Sequence, residues 1–193
     1  MIWFVSDTHF RHNNIVEYCH RPWPIDTSLT IPTQAMDLAL IHHWNSRVSN
    51  VDTIYIIGDF AFRDHEEMLQ RVNGRKHFVI GSHDKELIRP KYAKYFESIN
   101  QIKEIEIEEQ TISLCHYAFR TWPKMHYGAW HLHGHSHGNL EPMGKSWDVG
   151  VDNNGYHPIS WEEIKQIMVG RPENPTLHKT SPWQTPPDTS SAN

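Results

Sequence analysis

Apolar positions along the chain fall into short unbroken runs that alternate with longer periodic stretches. Ile2 to Ser6 is a four-residue apolar run ending in a polar turn, the pattern of a buried strand. A helix is expected over Asn14 to Cys19, and Arg21-Pro22-Trp23-Pro24 then forces a loop, because two prolines exclude helix. Thr33 stands where it can cap a second helix whose apolar face is Met36, Leu40, Ile41, Trp44 and Val48. Thr53 to Ile57 is the second buried run and leads at once into Gly58-Asp59. Asp64 and Glu67 have capping-box spacing ahead of a helix carrying Met68, Leu69 and Val72. His77 to Ile80 is a third buried strand. Strand, helix, strand, helix, strand predicts parallel strands joined by crossover helices.

The second half changes period. Ile99, Ile102, Ile105 and Ile107 lie on strand-like segments, and Thr111 to Cys115, Ala129 to His133 and Ser146 to Val149 are further strands with short turns. Ser160 and Glu163 form a capping box that opens a helix through Met168. The fold class is therefore α/β (or α+β), a mixed sheet or two packed sheets with helices outside. Residues 1–170 form the folded domain, and residues 171–193, rich in Pro, Ser and Thr, are a loosely ordered tail.

Composition narrows the function. The chain has 193 residues, enough for one domain with a core. A net charge of -5 argues against a nonspecific nucleic-acid binder that relies on a basic face. The two cysteines, Cys19 and Cys115, form no Cys-x-x-Cys pair, which suits a reduced, cytoplasmic setting. The N-terminal apolar run is too short for a signal peptide or a membrane span. Sixteen histidines are an excess for this length and direct attention to metal ligation, with a bland surplus of surface histidines as the alternative.

Five polar signatures follow predicted strands: Asp7-Thr8-His9, Gly58-Asp59, Gly81-Ser82-His83-Asp84, Cys115-His116 and Gly134-His135-Ser136-His137. Asp7 and His9, leaving a strand at alternate positions, can point the same way. Each signature alone is weak: a lone Gly-Asp is more often a turn or cap. Together they matter, because loops that follow parallel strands converge at one sheet edge. Imidazole nitrogens mixed with carboxylate oxygens suit Mn, Fe, Co, Ni or Zn better than Ca or Mg. Six or seven such ligands are too many for one tetrahedral ion, and two ions sharing a carboxylate would use them.

Over residues 1 to 157 this ordered set resembles the calcineurin-like metallophosphoesterases, in particular their compact bacterial and phage-type members. The resemblance implies a β-sandwich of mixed strands flanked by helices and a dinuclear site. Asp7, His9 and His137 would hold one ion. Asp59 would bridge both, and His116 and His135 would hold the second, with position 82 as its remaining ligand. His83 would contact phosphate or protonate the leaving group, with Asp84 orienting it. The implied reaction is attack on a phosphate ester by a hydroxide activated between the ions, with manganese the favoured metal. Phosphodiesters are the favoured substrates. Phosphomonoesters (a nucleotide or a nucleic-acid end) and a catalytically impaired metal- or nucleotide-binding module are the alternatives. No membrane partner is expected, and the protein is read as a monomer or small homo-oligomer.

One position departs from the family pattern. Ser82 stands where the family has asparagine, whose amide oxygen reaches further and binds ions better. It is an accepted variant, a substitution that slows turnover, or a mark of drift toward a binding role; a weakened second ion fits the survival of Asp59, His116 and His135. Arg11 and His12 could touch phosphate or belong to a solvated loop. Arg120 and Trp122 could line the cleft, with Trp122 stacking a base, or be ordinary loop packing. Cys115 should face the core, and Asp152 is read as structural.

Overall fold

The computed structural model describes residues 1–175. Its first sheet contains β1 (Ile2–Val5), β2 (Thr53–Ile57), β3 (Arg75–Val79) and β4 (Phe96–Asn100), all parallel, and β9 (Ile159–Ser160), antiparallel to β1, in the order β4-β3-β2-β1-β9. The second sheet has the order β5-β6-β7-β8, from β5 (Ile102–Ile107), β6 (Gln110–Cys115), β7 (Trp130–His133) and β8 (Ser146–Asp148). Within it β5 and β6 are antiparallel, while β6, β7 and β8 run parallel. The two sheets pack face to face, and α1 (Asn13–Tyr18), α2 (Gln34–Asn45) and α3 (His65–Arg71) cover the outer face of the first.

Strand alternation explains why the first-sheet strands read as unbroken apolar runs. Trp3 and Val5 of β1, and Ile54 and Ile56 of β2, join the core beneath the helices. Phe4, Tyr55, Ile57 and Val79 point the other way, into the core between the sheets, where they meet Ile112, Leu114 and Leu132. A strand buried on both faces has no polar side to show. The last helix, α4 (Trp161–Gly170), adds Trp161, Ile164 and Met168 to the inter-sheet core. It starts with the expected capping box: Ser160 Oγ accepts the Glu163 N–H at 3.2 Å, and Glu163 Oε2 accepts the Ser160 N–H at 2.8 Å.

The other two expected caps are absent. Thr33 makes no side-chain cap; its hydroxyl donates to Asp37 at 2.9 Å. Asp64 takes a left-handed conformation (φ 52°) and makes no cap either. Its carboxylate and that of Glu67 instead lie 3.0 Å from the Arg11 guanidinium. A buried guanidinium draws carboxylates more strongly than a helix N-terminus does. The start of the expected tail is pinned: Asn174 accepts the Lys145 N–H at 2.8 Å and donates to the Met125 and Ala129 carbonyls at 2.9 Å. The remainder of that tail, residues 176–193, lies outside the described residues. No helix among the described residues is long and apolar enough to cross a membrane.

Candidate metal centre

The five polar signatures all leave the carboxyl ends of parallel strands, three from the first sheet and two from the second. The sheets meet at this edge, because the Ser6 N–H donates to the Val149 carbonyl and the Val151 N–H to that of Ser6, each at 3.1 Å. Asp7 and Asp59 lie side by side, the Asp7 N–H donating to Gly58 O at 3.1 Å and the His9 N–H to Asp59 O at 3.0 Å. Gly134 permits the closest approach: a Cβ there would lie 1.9 Å from Ser6 Oγ and 2.4 Å from Asp7 Oδ2. At Gly81 a Cβ would lie 2.3 Å from Asp59 Oδ1.

Local backbone geometry, rather than strand alternation, aims the side chains. Asp7 (φ 57°), His9 (50°), Asp59 (52°), His135 (67°) and His137 (48°) are all left-handed. This conformation is uncommon for residues with a Cβ, and clusters of it mark functional sites. Asp7 and His9 therefore converge because each sits in its own left-handed turn, not because they continue a strand.

Each carboxylate spends one oxygen on the backbone and turns the other inward. Asp7 Oδ2 accepts the His135 N–H at 2.9 Å, and its Oδ1 is buried without a partner. Asp59 Oδ1 accepts the His83 N–H at 2.9 Å; its Oδ2 accepts the Ser82 hydroxyl at 2.9 Å. That same Oδ2 lies 3.4 Å from His116 Nε2, 3.7 Å from His9 Nε2 and 4.0 Å from His83 Nε2. Asp7 Oδ1 lies 3.8 Å from His9 Nε2 and 4.0 Å from His137 Nε2. Ligands of one ion at about 2.1 Å stand about 3.0–4.2 Å from one another. Among the described residues three donor groups have their atoms within 4.8 Å of one another: Asp7–His9–His137 and Asp59–His116–His135 face each other across this edge, and Cys19–His137–Asp152 lies behind, sharing His137. His9 Nε2 and His116 Nε2 are also buried without partners. Three orphaned donor atoms converging on one edge are a costly arrangement unless a cation satisfies them.

The imidazoles are held ready from behind. His116 Nδ1 donates to Ile57 O at 2.9 Å, so its Nε2 faces the site. His137 Nδ1 lies 2.7 Å from Asp152 Oδ2. Asp152 is gripped in turn by Arg21, whose Nε and Nη2 donate to its two oxygens at 2.8 Å. Arg21 also donates to Asp7 O at 2.7 Å and Thr8 O at 2.9 Å, fixing the first turn. Sequence reasoning missed Arg21 and its part in the site, and read Asp152 as structural. The signal present was another carboxylate just past a strand, Gly150-Val151-Asp152.

Charge in the cluster is shared unevenly. Complete burial raises the Asp7 carboxyl to about 7, against the opposing pull of His116 and His137. Burial acts on Asp59 in the same direction, but the hydrogen bond and charge of His116, the His83 N–H and His9 together hold it below the usual carboxylate range. His116 is disfavoured as a cation by burial, yet Asp59 and Asp7 raise it to about 9. His137 is raised to about 10 against its burial, chiefly by Asp152. Burial drives His9 well below its ordinary value. Protons on His116 and His137 thus balance carboxylates that a divalent cation would balance as well.

Several expected roles change. The Asp84 carboxylate makes no hydrogen bond to the His83 ring. It is fully buried, and it accepts the backbone N–H groups of Asp59 and Gly81 at 2.7 Å and of Phe60 at 3.1 Å. Three convergent backbone donors hold it more firmly than one exposed imidazole could. Arg11 is neither solvated nor directed at the site: it is 4% exposed and paired with Asp37, Asp64 and Glu67. Trp122 is buried, donates to Ala129 O at 2.8 Å and packs on Met125, so it offers no stacking face to the site. Arg120 is exposed and does not line the cavity over the donor groups. His12 does line it, as does His83, whose ring side chain is 47% exposed. Cys115 is buried as expected, and burial raises its thiol.

Two mixed sheets carry helices on the outer face of one, and loops from both converge on two donor groups with Asp59 between them. The architecture is a mixed α/β sandwich, two packed sheets flanked by helices, as the strand and helix pattern predicts. No protein-family model matches the sequence. An uncharacterised protein of Methanocaldococcus jannaschii is 29% identical over 179 residues, 86% of this chain and 90% of that one. A crystal structure of a protein of unknown function from Aquifex aeolicus superposes with a TM-score of 0.65 at 26% identity, covering 86% of this chain and 98% of that one. A structure described as a novel archaeal phosphodiesterase overlaps more loosely, with a TM-score of 0.46 and 18% identity over 77% of this chain and 81% of that one.

Proposed function

We propose that this chain is a metal-dependent phosphoesterase that favours phosphodiesters and works with two divalent transition-metal ions, manganese first among Mn, Fe, Co, Ni and Zn. The observation that carries the reading is Asp59 Oδ2, which lies 3.7 Å from His9 of one donor group and 3.4 Å from His116 of the other. An oxygen in that position is placed to be shared. On this reading Asp7, His9 and His137 hold the first ion, and His116 and His135 hold the second together with Asp59. Bound ions of this kind supply positive charge at the phosphate and lower the pKa of water.

The chain's own residues do the rest. Asp152 and Arg21 keep the His137 ring in place, and Asp84 fixes the backbone that presents both Asp59 and Ser82. His83 stands at the cavity wall, 4.0 Å from Asp59 Oδ2, where its ring N–H can protonate the oxygen that leaves phosphorus. Protonation matters most for poor alkoxide leaving groups, which is why a diester with such a group is the favoured substrate. A nucleotide or a nucleic-acid end, a phosphomonoester with the same kind of alkoxide leaving group, is the second reading.

The test is hydrolysis of bis-(4-nitrophenyl) phosphate and 4-nitrophenyl phosphate by the manganese-loaded chain, with His83→Ala alongside. The diester should be the better substrate. His83→Ala should lose about 10²–10⁴-fold on an alkyl diester and much less on the nitrophenyl esters, whose leaving group needs no proton. A chain that binds manganese and hydrolyses none of these esters overturns the reading.

A further inference from the structure

The cavity over the donor groups has a volume of about 480 Å³, within the range of small-molecule sites. Its floor includes His9, Asp59, His135 and His137. Among the described residues, no lysine or arginine lines it. The two arginines nearest in sequence to the first motif are committed elsewhere: Arg11 to Asp37, Asp64 and Glu67, and Arg21, whose side chain is 0% exposed, to Asp152. A chain of further phosphates would therefore find no guanidinium or ammonium among the residues that line this cavity. Only the phosphate over the donor groups is provided for.

The walls offer something different. Phe62 is 36% exposed at this cavity, and Tyr18, at the end of α1, is 70% exposed and lines it too. Phe62 is not free to swing: the His12 ring lies flat against it, centroids 3.7 Å apart and planes 4° from parallel. The His83 ring is 4.8 Å from the same phenyl centroid, and the His9 ring 6.1 Å. A phenyl ring braced on one face, left accessible, and set beside the proposed leaving-group acid is a ready stacking surface.

We infer that Phe62, backed by His12, is a platform for a flat aromatic ring carried by the phosphate substrate, so that the substrate class is a single-phosphate ester of a nucleoside or other aryl-bearing group rather than a polyphosphate or a purely aliphatic ester. This rests on the phosphoesterase reading. It moves the base-stacking role expected of Trp122 to a residue that reaches the site. Stacking of a base on an aromatic side chain is worth roughly 5–150-fold in affinity, and about 10-fold is the working expectation here.

The experiment separates the ring from the phosphate. Inorganic phosphate, ribose 5-phosphate and adenosine 5′-monophosphate are titrated calorimetrically into the manganese-loaded chain, into Phe62→Leu and into Phe62→Trp. Adenosine 5′-monophosphate should bind the natural chain about 10-fold more tightly than ribose 5-phosphate, which has the same phosphate and sugar but no base. Phe62→Leu should erase that advantage, and Phe62→Trp should keep it, while inorganic phosphate binds all three forms within about 2-fold. Equal affinity for the two sugar phosphates, or an advantage that survives in Phe62→Leu, overturns the platform. Failure of inorganic phosphate to bind any form strikes the phosphoesterase reading itself.

Discussion

Replacing Ser82 by asparagine should strengthen the second ion without touching the first. Ser82 Oγ donates to Asp59 Oδ2 at 2.9 Å, the oxygen that also faces His9 and His116. The serine therefore contributes a donor that competes for the shared oxygen, where an asparagine amide would contribute an acceptor that reaches further and can itself bind a cation. Position 82 is partly exposed, so the larger side chain has room. One added ligand contact is worth about 10–100-fold in ion affinity, or roughly 1–3 kcal/mol. Losing the hydroxyl–carboxylate hydrogen bond should cost about 1 kcal/mol in the absence of metal. Ser82→Asn should thus bind the second manganese at least about 10-fold more tightly, hydrolyse bis-(4-nitrophenyl) phosphate about 10-fold faster at limiting manganese, and unfold at slightly lower urea when metal-free. Calorimetric manganese titration, diester turnover against manganese concentration and urea melts of Ser82, Ser82→Asn and Ser82→Ala give all three readouts. Identical manganese isotherms for serine and asparagine would refute the reasoning, because position 82 would then make no contact with the ion.

Four further substitutions have expected outcomes. Asp84→Asn should lower the stability of the metal-free chain by about 1–2 kcal/mol, since one buried N–H loses its charged acceptor; part of that loss is returned because burial, with the charge of Asp59, already raises the Asp84 carboxyl to about 6. His83→Ala should leave stability nearly unchanged, and a stable Asp84→Asn whose pH–rate profile matched that of His83→Ala would return Asp84 to an orienting role. Asp152→Asn should weaken the first ion by about 10–100-fold and spare the second, measured by the same titration; equal weakening of both would contradict the assignment of His137. Burial lowers the Lys76 ammonium from 10.5 to about 8. Between these values the unfolded chain holds a proton that the folded one has released, so stability rises with pH there: the contribution is complete above 10.5 and lost as pH falls through 8. The gap between the natural chain and Lys76→Met should accordingly shift in favour of lysine by on the order of 1–3 kcal/mol from pH 7.5 to 10 in urea melts, and a constant gap would refute it.

The architecture was legible because burial on both faces writes itself into sequence. Thr53 to Ile57 carries no polar alternation, and in the structure Ile54 and Ile56 face the helices while Tyr55 and Ile57 face the second sheet. That these signatures meet at one edge was legible for a related reason: each follows a strand, and strand ends converge. What the sequence did not announce is direction. Nothing in Asp-Thr-His advertises that Asp7 and His9 are both left-handed, and the capping-box spacing of Asp64 and Glu67 was outcompeted by Arg11, a partner more than fifty residues earlier. Asp84 was placed beside His83 because they are adjacent in the chain, yet adjacent residues in a turn can point apart, and its three backbone partners include two from another strand's loop. Arg21 and Asp152 meet across 131 residues, a pairing that no local pattern encodes.

The central claim is a pair of ions that share Asp59. It is tested most directly by counting manganese bound per chain at saturation, by equilibrium dialysis with elemental analysis, and by recording the electron paramagnetic resonance spectrum of the same samples. The account predicts two ions per chain with a spin-coupled spectrum, and for Asp59→Asn loss of the coupling with at most one ion retained. A single ion in the natural chain, or two uncoupled ions unaffected by Asp59→Asn, would contradict it.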